Sequence, residues 1–263
     1  MPRLAVLGHP IAHSRSPAMQ NAALAELGLG DKWSYEAIEV APDRFEEQVR
    51  AMLGDGFAGA NVTVPHKGAA LAVADTLSET AREIGAANTL VFADGEIRAH
   101  NTDAGGLLAS LPEPPAGKRA LVLGAGGAAR AVVWALLREG ADVDVWNRTV
   151  RRSRNLCEEL GGRPAEAPDQ AAYEMIVQTT AVGLDGEDPF VELPLAAGRF
   201  APAQVVVDLV YGKEPSRLLG AAAAAGAAVV DGIEVLVQQG ALSLQIWTGR
   251  EAPIDAMRAA ARL

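Results

Sequence analysis

Residues 119–149, RALVLGAGGAARAVVWALLREGADVDVWNRT, decide how the rest of the chain is read. Arg119–Leu123 is an apolar run of strand length, Gly127–Arg138 has the composition of a helix, and Asp142–Trp146 alternates as a second strand. Between strand and helix, Gly124, Gly126 and Ala129 put small residues at the three special positions of the pattern G-x-G-x-x-[GA]. One small residue permits the tight turn, one lets a pyrophosphate approach the backbone, and one lets the helix pack on the strand. The helix start then offers unpaired N–H groups to phosphate oxygens. A glycine motif alone reads equally well as a flexible turn. The strand–turn–helix–strand frame around this one selects a dinucleotide site.

The end of the next strand selects the dinucleotide. NAD sites place Asp or Glu there to bond the ribose hydroxyls. This chain has Asn147-Arg148-Thr149, followed by Arg151 and Arg152. A carboxylate would repel a 2′-phosphate, whereas the planar, permanently charged fork of Arg148 matches one. A plain solvated helix start is a poor alternative, because cations there oppose the helix dipole. The expected cofactor is NADP(H).

Outward from this stretch, strands and helices alternate. Strands are expected at Leu4–Gly8, Trp33–Val40, Ala58–Val64, Met175–Gln178, Val205–Val210 and Ala227–Val230, and a hairpin at Thr89–Ala93 and Glu96–Ala99 across Asp94-Gly95. Helices are expected at Ser16–Leu27, Pro42–Leu53, His66–Ala74, Ser78–Ile84, Ala104–Leu111, Arg151–Leu160, Pro215–Ala225 and Ile233–Trp247. The run Pro112–Gly117 cannot continue a helix and reads as the crossing between domains. Such alternation implies an α/β protein with parallel sheets and helical crossovers.

The bulk numbers narrow the partners. A chain of 263 residues with a formal charge of −10 lacks the basic surface that nucleic acid requires. The longest apolar run, Leu218–Val230, is too short and too rich in Ala and Gly to span a bilayer, and the N-terminus is apolar for too few residues to act as a signal peptide. One cysteine, Cys157, excludes an internal disulfide and a cysteine-rich metal site, and its helical neighbours favour packing over reactivity. A reducing, cytoplasmic home is expected, with no metal.

Several polar segments stand where strands end, the place where ligands gather in open α/β sheets. His13-Ser14-Arg15-Ser16-Pro17 brings two hydroxyls to a helix N-terminus, suited to a small carboxylate, although Ser16 could equally be an N-cap. Asn61-Val62-Thr63-Val64-Pro65-His66-Lys67, Asn88-Thr89 and Asn101-Thr102-Asp103 complete the set. Lys67 alone could be a surface lysine, and Asp103 alone a helix cap. On the last helix, Val235, Gln239, Leu242, Ser243 and Ile246 share one stripe, which turns Gln239 inward and its neighbour Gln238 away.

In joint order and spacing, these motifs and the Gly124–Arg130 and Asn147-Arg148-Thr149 segments resemble the shikimate dehydrogenase family along nearly the whole chain. The resemblance implies reversible reduction of 3-dehydroshikimate by NADPH, in the pathway to chorismate and aromatic amino acids. It implies a substrate domain of residues 1–103 and 238–263, a Rossmann-type doubly wound NADP domain of residues 104–237, and a C-terminal helix returning to the first domain. Ser14, Ser16 and Tyr211 would hold the substrate carboxylate; Thr63, Asn88 and Gln239 would bond its ring hydroxyls; Lys67 and Asp103 would form the catalytic pair. Gly124, Ala125, Gly126, Gly127, Ala128, Asn147, Arg148, Thr149 and Gly232 would contact the cofactor. A monomer or homodimer acting on a small molecule follows.

The chemistry of the residues agrees. Hydride delivery to a ketone builds alkoxide character, which a lysine ammonium can stabilise and then protonate. The chain departs from the family at Gln20-Asn21, in place of His-Asn, at Gln178–Leu184, where Asn-Ala-Thr-Ser-x-Gly-Met is usual, and at Gly212-Lys213, where Asn-Pro follows the tyrosine. Two rivals stand beside this reading. An NAD(P)-dependent quinate/shikimate dehydrogenase is opposed by Asn147-Arg148-Thr149, and a non-catalytic NADP sensor by the presence of both Lys67 and Asp103.

Overall fold

The computed structural model describes residues 2–212 and 214–263; Lys213, one of the departures, lies outside them. The chain forms two compact units, the first running up to Gly106 and resuming at Leu236–Leu263, the second being Leu107–Val235.

In the first unit the chain runs β1 (Arg3–Gly8), α1 (Ser16–Glu26), β2 (Ser34–Glu39), α2 (Phe45–Gly54), β3 (Phe57–Val62), α3 (Lys67–Val73), β4 (Thr76–Leu77), α4 (Glu79–Ile84), β5 (Thr89–Ala93), β6 (Glu96–His100) and the start of α5 (Asp103–Ser110). The six strands lie in the order β2-β1-β3-β5-β6-β4. β1 is parallel to both β2 and β3, while β5 is antiparallel to both β3 and β6. The sheet is therefore mixed rather than wholly parallel. The cause is the hairpin: Asp94 and Gly95 both take the left-handed conformation (φ 57° and 77°) that a two-residue turn demands, and this reverses the chain. Leu7, Phe45, Val49, Met52, Val62, Leu90 and Ile97 build the core on one face.

Strand β3 ends at Val62, two residues before the expected Val64. Pro65 offers no donor, and the Thr63 carbonyl already accepts the His66 amide in a turn. Val64 is exposed in consequence. The result places Thr63 and Lys67 just beyond the strand. Because β1 lies between β2 and β3, the carboxyl ends of β1 and β3 form the switch point where ligands gather in open sheets.

The second unit holds β7 (Arg119–Leu123), α6 (Gly127–Arg138), β8 (Asp142–Trp146), α7 (Val150–Leu160), β9 (Arg163–Pro164), β10 (Met175–Gln178), α8 (Pro189–Glu192), β11 (Val205–Asp208), α9 (Arg217–Ala224), β12 (Ala228–Asp231) and the first turn of α10 (Gly232–Thr248). The order β9-β8-β7-β10-β11-β12 is all parallel, as in a doubly wound dinucleotide-binding sheet. Its central strands are buried on both faces and read as near-continuous aliphatic runs. The Pro112–Gly117 run lies within this unit, as the lead-in to β7: Gly117 donates to the Gly140 carbonyl and Lys118 pairs with Glu113. The units divide instead inside α5 and inside α10, and α10 with α11 (Ile254–Ala261) completes the first unit. β4, β9, α8 and α11 had no distinct sequence signal; the two strands are two residues each.

Candidate active site

The first unit gathers four of the expected residues into one cluster. Lys67 opens α3, and His66 before it is buried, with its ring stacked 4.5 Å from that of Phe45 and Nε2 2.7 Å from the Val40 carbonyl oxygen. Burial holds the His66 pKa below its ordinary value, partly opposed by that hydrogen bond. The neutral ring thus anchors the α3 start by packing. Lys67 Nζ reaches Asp103 Oδ2 at 2.6 Å, with both side chains largely buried at 12% and 18% exposure. Asn88 Nδ2 donates to the other carboxylate oxygen at 2.9 Å and lies 3.0 Å from Gln239 Oε1.

Asp103 is free to face Lys67 because it does not cap its own helix. Asn101 Oδ1 accepts the amides of Asp103 and Ala104, so the capping role that the sequence allowed for Asp103 belongs to Asn101. Asn88 is oriented in turn by the Thr102 amide, which donates to Asn88 Oδ1 at 2.7 Å and turns Nδ2 toward Asp103 and Gln239. Gln239 comes close because Gly106 has no side chain; a Cβ there would stand 2.5 Å from Gln239 Cβ and 2.6 Å from its amide nitrogen.

Ser14 and Ser16 lie together at the start of α1, where the Ser16 amide donates to Ser14 Oγ. Neither caps the helix: the N-cap is Arg15, in the helical region and without a side-chain hydrogen bond, and no acidic residue occupies the first turn. The N-cap reading of Ser16 is therefore corrected. Thr63, half-buried, follows β3 with its amide bonded to the Leu7 carbonyl. Tyr211 belongs to the second unit, past the end of β11, and is half-buried.

Sequence reasoning missed the layer beneath Asn88. Asn61, Thr89, Thr102 and Ser243 are all buried and hydrogen-bonded to one another. The signal was partly visible, since polar residues at Asn61, Thr89 and Thr102 interrupt strand ends. Ser243 was hidden by the stripe it was assigned to. Of that stripe, Val235, Gln239 and Ser243 are buried while Leu242 and Ile246 are exposed, and Val237, Ala241 and Leu244 complete the buried face. Of the other departures, Gln20 is buried and donates to the Gly240 carbonyl, and Asn21 bonds both backbone groups of Tyr35.

The second unit supplies the dinucleotide cradle. Gly124 leaves β7 at φ 121°, and a Cβ there would strike Thr179 Oγ1 at the end of the neighbouring β10. Gly126, the N-cap of α6, has nothing within 4 Å of a built Cβ, so the backbone is open to a ligand. Ala129 is buried against the sheet. Ala125, Gly127 and Ala128 are half-buried or exposed around the turn, and no side chain caps the first-turn amides of α6. The β7/β10 boundary is the point where the strand order reverses. At the end of β8, Asn147 Nδ2 bonds the Thr149 carbonyl, Thr149 is the N-cap of α7, and Arg148 is 84% exposed with Glu192 no nearer than 3.8 Å. The one carboxylate in the body of the strand that is buried, Asp144, is occupied by Arg119, Arg163 and Tyr173. Gly232, the first residue of α10, is buried against the Leu209 carbonyl. A dinucleotide carrying a 2′-phosphate fits these residues: open backbone at the turn, free amides, and a cation at the strand end.

Among the described residues, no group of three His, Cys, Asp or Glu could hold a metal, and no helix is long and apolar enough to cross a membrane. Cys157 is buried, and burial pushes its thiol up to about 11, consistent with a packing role.

A doubly wound dinucleotide unit, together with a unit bearing a buried lysine–aspartate pair, defines a dinucleotide-dependent oxidoreductase. Three family models match the chain: the shikimate dehydrogenase substrate binding domain over residues 6–90, shikimate/quinate 5-dehydrogenase over 109–182, and the shikimate 5′-dehydrogenase C-terminal domain over 232–262. The NADP(+) shikimate dehydrogenase of Thermus thermophilus is 45% identical, covering 100% of this chain and 98% of its own length. That of Methanopyrus kandleri is 43% identical over 97% of this chain and 93% of its own. The crystal structure of the Thermus thermophilus shikimate 5-dehydrogenase in complex with NADP(H) and shikimate matches with a TM-score of 0.91 at 43% identity, covering 100% and 99% of the two chains. The chain belongs to the shikimate dehydrogenase family.

Proposed function

We propose that this protein is an NADP-dependent shikimate dehydrogenase that interconverts 3-dehydroshikimate and shikimate on the way to chorismate and the aromatic amino acids. The observation that carries the reading is the Lys67–Asp103 pair, closed at 2.6 Å and held by Asn88, in a chain of this family.

NADPH, when bound at Gly124–Ala128, Asn147–Thr149 and Gly232, supplies the hydride. The remaining work belongs to side chains. Ser14 and Ser16, with Tyr211, bind the substrate carboxylate at the uncapped start of α1. Thr63, Asn88 and Gln239 bond ring hydroxyls and fix which carbon faces the cofactor. Lys67 Nζ stands at the oxygen that gains negative character and delivers a proton to it; in the oxidation direction it receives that proton. Asp103 Oδ2 accepts from Nζ throughout and keeps the ammonium aimed. Arg148 binds the 2′-phosphate, and the enzyme acts in a reducing cytoplasm as a monomer or homodimer.

The test is Lys67→Ala. Turnover should fall by roughly 10²–10⁴, the size of a lost general acid, while NADPH binding measured by fluorescence titration stays near wild type. Turnover that persists would move the chemistry to another residue.

A further inference from the structure

Ser243 has more partners than a buried helical serine requires. Such a serine ordinarily bonds the carbonyl one turn back, and Ser243 Oγ does lie 3.1 Å from the Gln239 carbonyl oxygen. It also lies 2.9 Å from Asn61 Nδ2 on β3, 2.9 Å from Thr89 Oγ1 on β5, and 3.0 Å from Thr102 Oγ1 before α5. It is fully buried.

The direction of these bonds follows from donor and acceptor accounting. Tyr35 donates its hydroxyl to Asn61 Oδ1, and Asn61 Nδ2 faces the Asn88 carbonyl, so the Asn61 amide has one workable orientation and donates to Ser243. Ser243 therefore directs its own proton at Gln239, Thr89 or Thr102. Thr102 carries the contact on, since its hydroxyl oxygen lies 2.9 Å from Asn88 Nδ2, which donates to it, and 3.2 Å and 3.4 Å from Asn88 Oδ1 and Gln239 Oε1. Gln239 Nε2 is tied to the Leu236 carbonyl, leaving Oε1 to meet Asn88 Nδ2. Two amides assigned to ring hydroxyls thus share a network that the Ser243 hydroxyl ties from α10 to β3, β5 and the residue before α5.

We propose that Ser243 is a positioning residue for substrate binding: its hydroxyl fixes α10 against Asn61, Thr89 and Thr102 and so sets the spacing of the Gln239 and Asn88 side chains that grip the substrate ring. The inference rests on the assignment of those two residues to substrate hydroxyls. It differs from a role in stability alone, because its effect must pass in part through Gln239, on the same helix.

Four full-length proteins test it: wild type, Ser243→Ala, Gln239→Ala and the double variant, each assayed for shikimate KM, kcat and NADP KM, with melting temperature recorded. Ser243→Ala should raise shikimate KM roughly five- to tenfold, the size of one buried hydrogen bond, and leave kcat and NADP KM within about twofold. In the Gln239→Ala background the same change should add clearly less than in wild type, the remainder being the part that reaches Asn88. Ser243→Cys, which keeps the packing and weakens the hydrogen bonds, should give an intermediate KM and serves if the alanine variant fails to fold. An unchanged KM in Ser243→Ala and Ser243→Cys, or an equal rise with and without Gln239, would overturn the proposal. If Gln239→Ala itself leaves shikimate KM unchanged, the substrate assignment of Gln239 fails first and this proposal with it.

Discussion

At Arg148 a guanidinium stands in solvent at a strand end, 84% exposed and 3.8 Å from the Glu192 carboxylate. An exposed arginine contributes little to folding, so its loss should be read in ligand binding. Arg148→Leu should weaken NADPH by roughly 1.5–3 kcal/mol, the range of a hydrogen bond to a charged group, and leave NADH affinity nearly unchanged. Equal losses for both cofactors would show that Arg148 does not read the phosphate. Asp208 carries a different prediction. Buried at the end of β11, it accepts from the Ser216 hydroxyl and the Val210 amide, yet burial lifts its carboxyl from 3.8 to about 6. An acid whose pKa is raised in the fold favours folding while protonated, so this contribution is complete below pH ~4 and is lost as pH rises through about 6. In Asp208→Asn it is absent. Denaturant unfolding from about pH 4 to pH 7 should show wild type losing roughly 2–3 kcal/mol relative to the variant; a constant difference would contradict the assignment. At this scale the sequence singled out Lys67, Asp103 and Arg148 as candidates, because each sits in a short local motif at a strand end. It concealed Ser243, whose partners Asn61, Thr89 and Thr102 lie far along the chain where no local pattern records them, and it left the cap open between Asn101 and Asp103, since either side chain can accept from the first amides of α5.

The glycine turn before α6 separates two roles that the motif alone merges. Gly124 needs its positive φ and its bare Cα against Thr179, whereas Gly126 sits at φ −93°, where any residue is comfortable, and faces open space. Gly124→Ala should therefore lower the melting temperature by several degrees, following a penalty of about 1–3 kcal/mol for the strained backbone. Gly126→Val should leave melting unchanged and weaken NADPH binding by at least about tenfold, since its side chain would fill the space a pyrophosphate takes. Thermal unfolding beside cofactor titration checks both, and a stability loss at Gly126 would mean that the turn is packed rather than open. Element boundaries were legible wherever the signal was local. Asp94-Gly95 fixed the hairpin, and the aliphatic runs fixed β7, β10 and β11. β4 and β9 escaped because two-residue strands have no periodicity, and on the last helix Gln239 and Ser243 were read inward as found, while Leu242 and Ile246 of the same stripe are exposed.

For the whole molecule, the division into two units follows from sheets that each need their own core. The proline run after α5 marks where a helix must stop, which differs from where one body gives way to the next; the division falls within α5, whose glycines Gly105 and Gly106 admit the side of α10 that bears Leu242 and Gln239. The return of α10 and α11 to the first unit was legible only through resemblance, because a discontinuous domain leaves no mark in composition. In the proposed reaction one unit would supply the cradle for a phosphorylated dinucleotide and the other the acid–base pair and the serines at the α1 start. The most direct measurement of that reaction is initial-rate kinetics of the purified enzyme with shikimate and with quinate, each against NADP and NAD. Shikimate with NADP should give the highest kcat/KM by at least about tenfold over any other combination, a difference of ~1.4 kcal/mol in transition-state binding. Quinate preferred over shikimate, NAD used as well as NADP, or no turnover with any pair would contradict the account.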